Sequence, residues 1–200
     1  MAGYVTVSKV LLLILVAFFL GSVPFGLLFA RLFGEKDPRE VGSGNVGATN
    51  VARAAGKIAG VLTLILDAAK GYLPVILAWS WLQNPDYVAL VGLFAILGHC
   101  YSPFLKGKGG KGVATGLGVY LALSPLALLL AAVVFGLLIW RFRYVALSSM
   151  GAAWAMVPLV YLMERSPMLT LFTALIAILI TWRHRGNIER LIKGEELRFL

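Results

Sequence analysis

GVATGLGVYLALSPLALLLAAVVFGLLIW, residues 112–140, decides the fold of this chain. Read as one helix of 29 residues, it would be about 43 Å long, well beyond the roughly 30 Å apolar core of a bilayer. Split at Ser124-Pro125, it becomes two helices, 112–123 and 126–140, each short for a full crossing. Length leaves the choice open, and charge settles it. With the split, seven spans are expected near residues 8–33, 58–82, 87–104, 112–123, 126–140, 144–163 and 168–183. Lys and Arg then number 15 on one side, from Arg31 through Arg198, against two, Lys9 and Arg165, on the other, with Lys70 inside a span. Without the split the count is 9 against 8. Because cytoplasmic loops carry the excess of basic residues, seven transmembrane helices are expected, with the N-terminus out and the C-terminus in.

The rest of the composition agrees with an all-α, polytopic membrane bundle. Of the 200 residues 60% are hydrophobic and 14% charged, and the mean hydropathy is +0.89. No soluble domain of useful size remains, so one integral-membrane domain over 1–200 is expected, with any site assembled from helix ends and short loops. The net charge of +9 sits mostly in loops beside the spans, where it reads as the positive-inside signature and not as a nucleic-acid surface. A single cysteine, Cys100, excludes an internal disulfide and a cysteine-based zinc site. The first apolar run continues through Phe33 without a small-residue cleavage site, which predicts a retained helix rather than a signal peptide. The seven-span topology brings residues 34–57, 105–112, 141–149 and 183–200 to one cytoplasmic surface.

Two glycine-rich, basic loops lie on that surface: GSGNVGATN, 42–50, and GKGGKGVATG, 107–116. Both contain G-x-G-x-x-G, but each lies between membrane spans and not in a βαβ unit, so a dinucleotide fold is excluded. The second is no Walker A loop either, since Leu105 stands where the first glycine belongs and Gly112 follows Lys111 where Ser or Thr is needed. Successive glycines still allow backbone N–H groups to converge on an anion at a helix N-terminus. Gly42, Gly44, Gly109, Gly110 and Gly112 are therefore expected to form phosphate cradles, charged by Lys108 and Lys111. Ser43, Asn45, Thr49 and Asn50 offer side-chain donors, and Arg53 offers a fork suited to a bidentate grip on phosphate. The plain alternative is a pair of glycine-rich reversals whose lysines only obey the charge rule, with Thr49 or Asn50 as a helix cap.

In RHRGNIERLIKGEE, 183–196, His184 and Asn187 lie three apart and share a helix face. Asp67 and Lys70, also three apart, form an intramembrane pair that reads as a packing device or a functional one. The histidines, His99 and His184, each have a structural reading as well.

Three segments together carry a resemblance: SGNVGATNVAR (43–53), GHCYSPF with GGKGVAT (98–115), and RHRGNIERL (183–191). In these, and in chain length and order of spans, the chain resembles the bacterial acyl-phosphate:glycerol-3-phosphate acyltransferase family. In the second segment the proline falls one residue late, at Pro103, and Gly107 stands where the family usually has an aromatic. The resemblance implies transfer of a fatty acyl group from acyl phosphate to the 1-hydroxyl of glycerol 3-phosphate, giving lysophosphatidic acid and phosphate, at the inner (plasma) membrane of a bacterium. It implies that Ser43 and Arg53 belong to the catalytic centre, that the loop ending at Lys111 binds glycerol 3-phosphate, and that His184 and Asn187 complete the site. Ser149 is implied as a further substrate contact.

The residues themselves suit such chemistry. Two phosphate-bearing substrates account for two cradles, and an acyl phosphate, already activated, needs no covalent enzyme intermediate. The H-x-x-x-x-D dyad is lacking, for Phe104 stands five residues after His99 and Glu189 five after His184. Direct attack of the glycerol hydroxyl is expected, with Arg53, Lys111 and backbone N–H groups holding phosphate charge while Ser43 and Asn187 orient the reacting groups. The base is either His184 or a substrate phosphate oxygen. No cofactor or metal is expected, because the nine acidic residues form no cluster. The partners expected are acyl phosphate, glycerol 3-phosphate and membrane lipid, not nucleic acid, and a monomer suffices. A transporter of an organic phosphate or anion is the alternative of another class. It would place binding groups near the bilayer midplane on broken helices, whereas the polar motifs here lie at one surface.

Overall fold

The computed structural model describes residues 7–33 and 36–199, and every described element is a helix, with no strand among the described residues. The N-terminal residues 1–6, expected outside the membrane, lie beyond the described part. The chain divides into two compact units, one of Met1–Gly110 with Ala114–Leu123, the other of Lys111–Val113 with Ser124–Leu200.

The first unit holds α1 (Val7–Ser22), α2 (Phe25–Leu32), α3 (Ala48–Leu82), α4 (Pro85–Cys100), a 3-10 turn (Pro103–Leu105) and α5 (Val113–Leu123), whose first residue belongs to the second unit. The first expected span is broken at Val23-Pro24 into α1 and α2, because proline cannot continue the hydrogen-bond ladder. α3 begins ten residues before the expected 58, and its first turns are offset from the rest by a kink at Ala55 and Gly56 (φ 85°). Close packing relies on small residues: a Cβ on Gly21 would meet the Ala95 carbonyl, and one on Gly98 the Phe18 carbonyl, which fixes α1 against α4. Gly71 against the Thr115 carbonyl and Gly118 against the Ala68 carbonyl bring α3 and α5 together in the same way. At the end carrying the first glycine loop, Leu27, Val46 and Leu105 form a buried cluster, next to another of Ala30, Val51, Ala55 and Ala59.

The second unit holds α6 (Pro125–Phe142), α7 (Val145–Glu164), α8 (Pro167–Arg183) and α9 (Arg185–Lys193). α6 packs on α7 and α7 on α8. The break at Ser124-Pro125 is present, and Pro125, like Pro85 and Pro167, occupies the first helical turn, where its missing N–H costs nothing. Ser124 Oγ donates to Glu164 Oε1 at 2.6 Å and ties that break to the end of α7. Trp154 on α7 donates to Thr181 on α8 at 3.0 Å. Among the described residues, five helical segments are long and apolar enough to cross a membrane, or six if α8 and α9, bent by 56°, count as one. α5 is apolar but has only 11 residues.

Candidate active site

Asn50 organises the first glycine loop. From the first turn of α3 its buried amide nitrogen donates to the carbonyls of Pro38 (2.6 Å), Val41 (3.0 Å) and Asn45 (2.8 Å), and its oxygen accepts from Ser43 N–H (2.9 Å). Asn45 in turn accepts from Gly47 N–H at 2.9 Å, the Asx-type turn that asparagine favours. The expectation that Asn50 faces a ligand is therefore revised, since both ends of its amide are spent on the loop, whereas Asn45 gives the loop only its oxygen and its Nδ2 has no hydrogen bond among the described residues. Gly42 (φ 58°) and Gly44 (φ 67°) hold left-handed conformations, and a Cβ on Gly42 would lie only 2.5 Å from Asn50 Oδ1. With Gly44 N–H bonded to the Val41 carbonyl, the amides of Ser43, Gly44 and Gly47 are all satisfied internally.

What the loop leaves available is side-chain chemistry. Arg39 is paired with Asp37 through contacts of 2.6 to 3.1 Å, and that guanidinium holds the Asp37 carboxyl below its usual range. Arg53 is exposed, has no hydrogen-bond or ion-pair partner among the described residues, and runs its stem past Gly42. The half-buried Ser43 hydroxyl is likewise without a partner among them. The structure thus brings Ser43 and Arg53 to the same loop.

The second glycine loop is strapped to the end of α4. Gly107 N–H donates to the Ser102 carbonyl (2.9 Å), Lys108 to Leu105 (2.9 Å), Gly109 to Cys100 (3.2 Å) and Gly110 to His99 (3.0 Å). The amides of 107–110 accordingly close the loop instead of forming an anion cradle, which corrects the expected role of Gly109 and Gly110. Their glycines serve close approach: a Cβ on Gly109 would meet the His99 carbonyl and one on Gly110 the His99 ring. Gly112 turns the chain into α5 with φ 87°. Lys108 is an exposed cation on this loop.

In the second unit, Lys111 Nζ donates to Asn187 Oδ1 at 2.6 Å, joining residues 76 positions apart. Asn187 Nδ2 donates to Glu196 Oε1 (2.6 Å), and the other oxygen of Glu196 accepts from Arg190 Nε (2.8 Å). Glu196, on a side chain 7% exposed, is the residue that sequence reasoning missed. The available signal was Gly194, which ends α9 in a left-handed conformation (φ 73°) and returns the chain toward Asn187. Glu189 is exposed.

His184 lies just beyond α8 and is buried. Its Nδ1 is 2.8 Å from the Ile180 carbonyl, an acceptor only, so Nδ1 carries the proton of the neutral ring and Nε2 the lone pair. Burial, followed by the positive charge of Lys111, pushes its pKa down to about 4 against the opposing Ile180 bond. Ser149 on α7 is buried, with no hydrogen bond from its hydroxyl among the described residues and none to Lys111, Asn187 or His184.

Apolar helices whose ends carry an exposed guanidinium and a lysine–amide–carboxylate chain define a class, the polytopic helical membrane proteins with polar sites at helix ends. Within it, the chain belongs to the glycerol-3-phosphate acyltransferase family, whose model matches residues 11–194. A glycerol-3-phosphate acyltransferase of Syntrophotalea carbinolica is 50% identical, over 94% of this chain and 96% of its own. A crystal structure of PlsY (YgiH), an integral membrane glycerol 3-phosphate acyltransferase in its glycerol 3-phosphate form, is 42% identical, with a TM-score of 0.91 over 96% of both chains. The lysophosphatidic acid form of PlsY superimposes with a TM-score of 0.86 at 40% identity, again over 96% of both.

Proposed function

We propose that this acyltransferase takes its acyl group from acyl phosphate and transfers it to the 1-hydroxyl of glycerol 3-phosphate. The hydroxyl oxygen forms the new bond to the acyl carbon, the carbon–oxygen bond to phosphate breaks, and lysophosphatidic acid and inorganic phosphate result. The observation that carries this reading is the 2.6 Å bond from Lys111 to Asn187. It joins the second glycine motif to the C-terminal motif in one cationic, amide-bearing cluster of the kind that holds a phosphate.

The assignments follow from the chemistry each side chain offers. Arg53 and Ser43 are catalytic, the first holding phosphate charge through its fork and the second orienting a reacting group. Lys111 and Lys108 bind phosphate, and Asn187 with His184 completes the site. Ser149 is assigned to substrate, on its unpartnered hydroxyl. Gly42, Gly44, Asn45 and Asn50 shape the first loop, and Gly109, Gly110 and Gly112 the second. The proton of the attacking hydroxyl goes to a substrate phosphate oxygen, because a histidine held near 4 is a weak base at neutral pH.

The same reading includes seven crossings, N-terminus out and C-terminus in. It includes a single catalytic domain acting as a monomer in a bacterial inner membrane, with its site toward the cytoplasm. The test of the donor is direct. Purified protein receives glycerol 3-phosphate with palmitoyl phosphate, palmitoyl-CoA or palmitoyl carrier protein. Lysophosphatidic acid is expected from palmitoyl phosphate alone, and formation from either thioester would overturn the assignment.

A further inference from the structure

Asp67 and Lys70, one turn apart in α3, are both nearly fully buried, with 2.6 Å between Lys70 Nζ and Asp67 Oδ1. Their surroundings tie them to the second glycine loop. Lys70 Nζ also donates to the Val23 carbonyl at 2.8 Å and lies 5.7 Å from the centre of the Phe25 ring, so it grips the break between α1 and α2. The adjacent carbonyl, on Ser22, accepts from Ser102 Oγ at 2.6 Å. On the other side of the pair, His99 Nδ1 stands 3.9 Å from Asp67 Oδ1. Ser102 and His99 are, with Cys100, the posts of the loop, since their carbonyls receive Gly107 N–H (2.9 Å) and Gly110 N–H (3.0 Å). The His99 ring fills the space next to Gly110. Asp67, Lys70, His99, Ser102 and Gly110 line one small cavity of about 200 Å³, its open mouth included.

We propose that Asp67, Lys70 and His99 are positioning residues for the acyl transfer. The buried pair fixes both the helix break and the His99 ring, those two fix the posts, and the posts set the path of residues 107–110 from which Lys111 follows. None of the three touches substrate, and the inference rests on assigning this loop to glycerol 3-phosphate.

Lys70→Met alone strands a buried carboxylate and risks misfolding. The double variant Asp67→Asn/Lys70→Met removes both charges at similar volume, and His99→Asn withdraws the ring with both charges in place. With palmitoyl phosphate saturating, each is expected to raise the KM for glycerol 3-phosphate about tenfold while kcat and the acyl-phosphate KM stay within about threefold. Hydrogen exchange in a peptide covering 102–112 is expected to quicken. Ser124→Ala, which breaks the Ser124–Glu164 hydrogen bond in the other unit, is expected to lower thermal stability and leave that KM unchanged. Lys111→Met tests the underlying assignment. If it raises the KM and the folded double variant does not, the positioning role is overturned and the loop assignment stands. If Lys111→Met leaves the KM unchanged, the loop assignment falls. Unaltered exchange at 102–112 in the double and His99→Asn variants would overturn the positioning role on its own.

Discussion

At the scale of single residues, partners decide roles that residue type leaves open. Arg39 and Arg53 both follow α2, yet Arg39 is bound to Asp37 while the Arg53 fork has no partner among the described residues. Arg53→Lys retains the charge and loses the planar pair of donors. Loss of about 2 to 3 kcal/mol of transition-state contact corresponds to roughly a 30- to 150-fold fall in kcat, measured by phosphate release. Native kinetics in a folded Arg53→Lys variant would show an ordinary basic loop residue. For His184, a folded-state pKa of about 4 lies below the usual histidine value of 6.5. The neutral ring is therefore the folded form, and the stability tied to it is complete above about 6.5 and lost as pH falls through 4. His184→Ala should reduce turnover yet keep the shape of the pH–rate profile between about pH 6 and 8. Disappearance of a limb in that range would make His184 the base after all. The sequence made Ser43, Arg53, Lys111 and His184 legible as chemistry. It could not show that Asn50 faces inward, because its partners at 38, 41, 43 and 45 depend on the path of the loop.

At the scale of elements, helix ends were easier to read than what the loops do with their amides. Proline marks the start of α4, α6 and α8, and the sequence shows each of these prolines. The early start of α3 was hidden, because polar Thr49, Asn50 and Arg53 mask a helix that precedes the kink at Gly56. The second loop was legible as glycine-rich and basic, but the pattern GKGGKG does not tell whether its N–H groups meet an anion or the end of α4. The structure gives the second answer for 107–110. That changes the physical basis of one expectation. Gly110→Ala should still raise the glycerol 3-phosphate KM, about tenfold or 1.4 kcal/mol, but through collision of the new Cβ with the His99 ring. The measurement is KM at saturating acyl phosphate, and an unchanged value would mean that the ring moves aside without disturbing the loop.

At the scale of the whole molecule, α5 and α6 answer differently to the membrane. α6, with 18 residues, is about 27 Å long and buries only Ala127 and Ala131, as a lipid-facing crossing would. α5, with 11 residues, is about 17 Å long; it buries a face of Thr115, Gly116, Gly118, Val119, Tyr120 and Leu123 and exposes Leu117 and Leu121. A short helix packed along one face against protein need not match the bilayer thickness by itself, so its shortness does not argue against a seventh crossing. The consequence lies in the side on which everything after Phe142 emerges. In a variant whose buried Cys100 is replaced, Arg141→Cys and Lys193→Cys should react with an impermeant thiol reagent only from the cytoplasmic side, and Lys9→Cys only from outside. Labelling of Lys193→Cys from outside would put Asn187, Glu196 and Lys193 across the membrane from Arg53. The assignment of both cationic clusters to one transfer reaction would then fail.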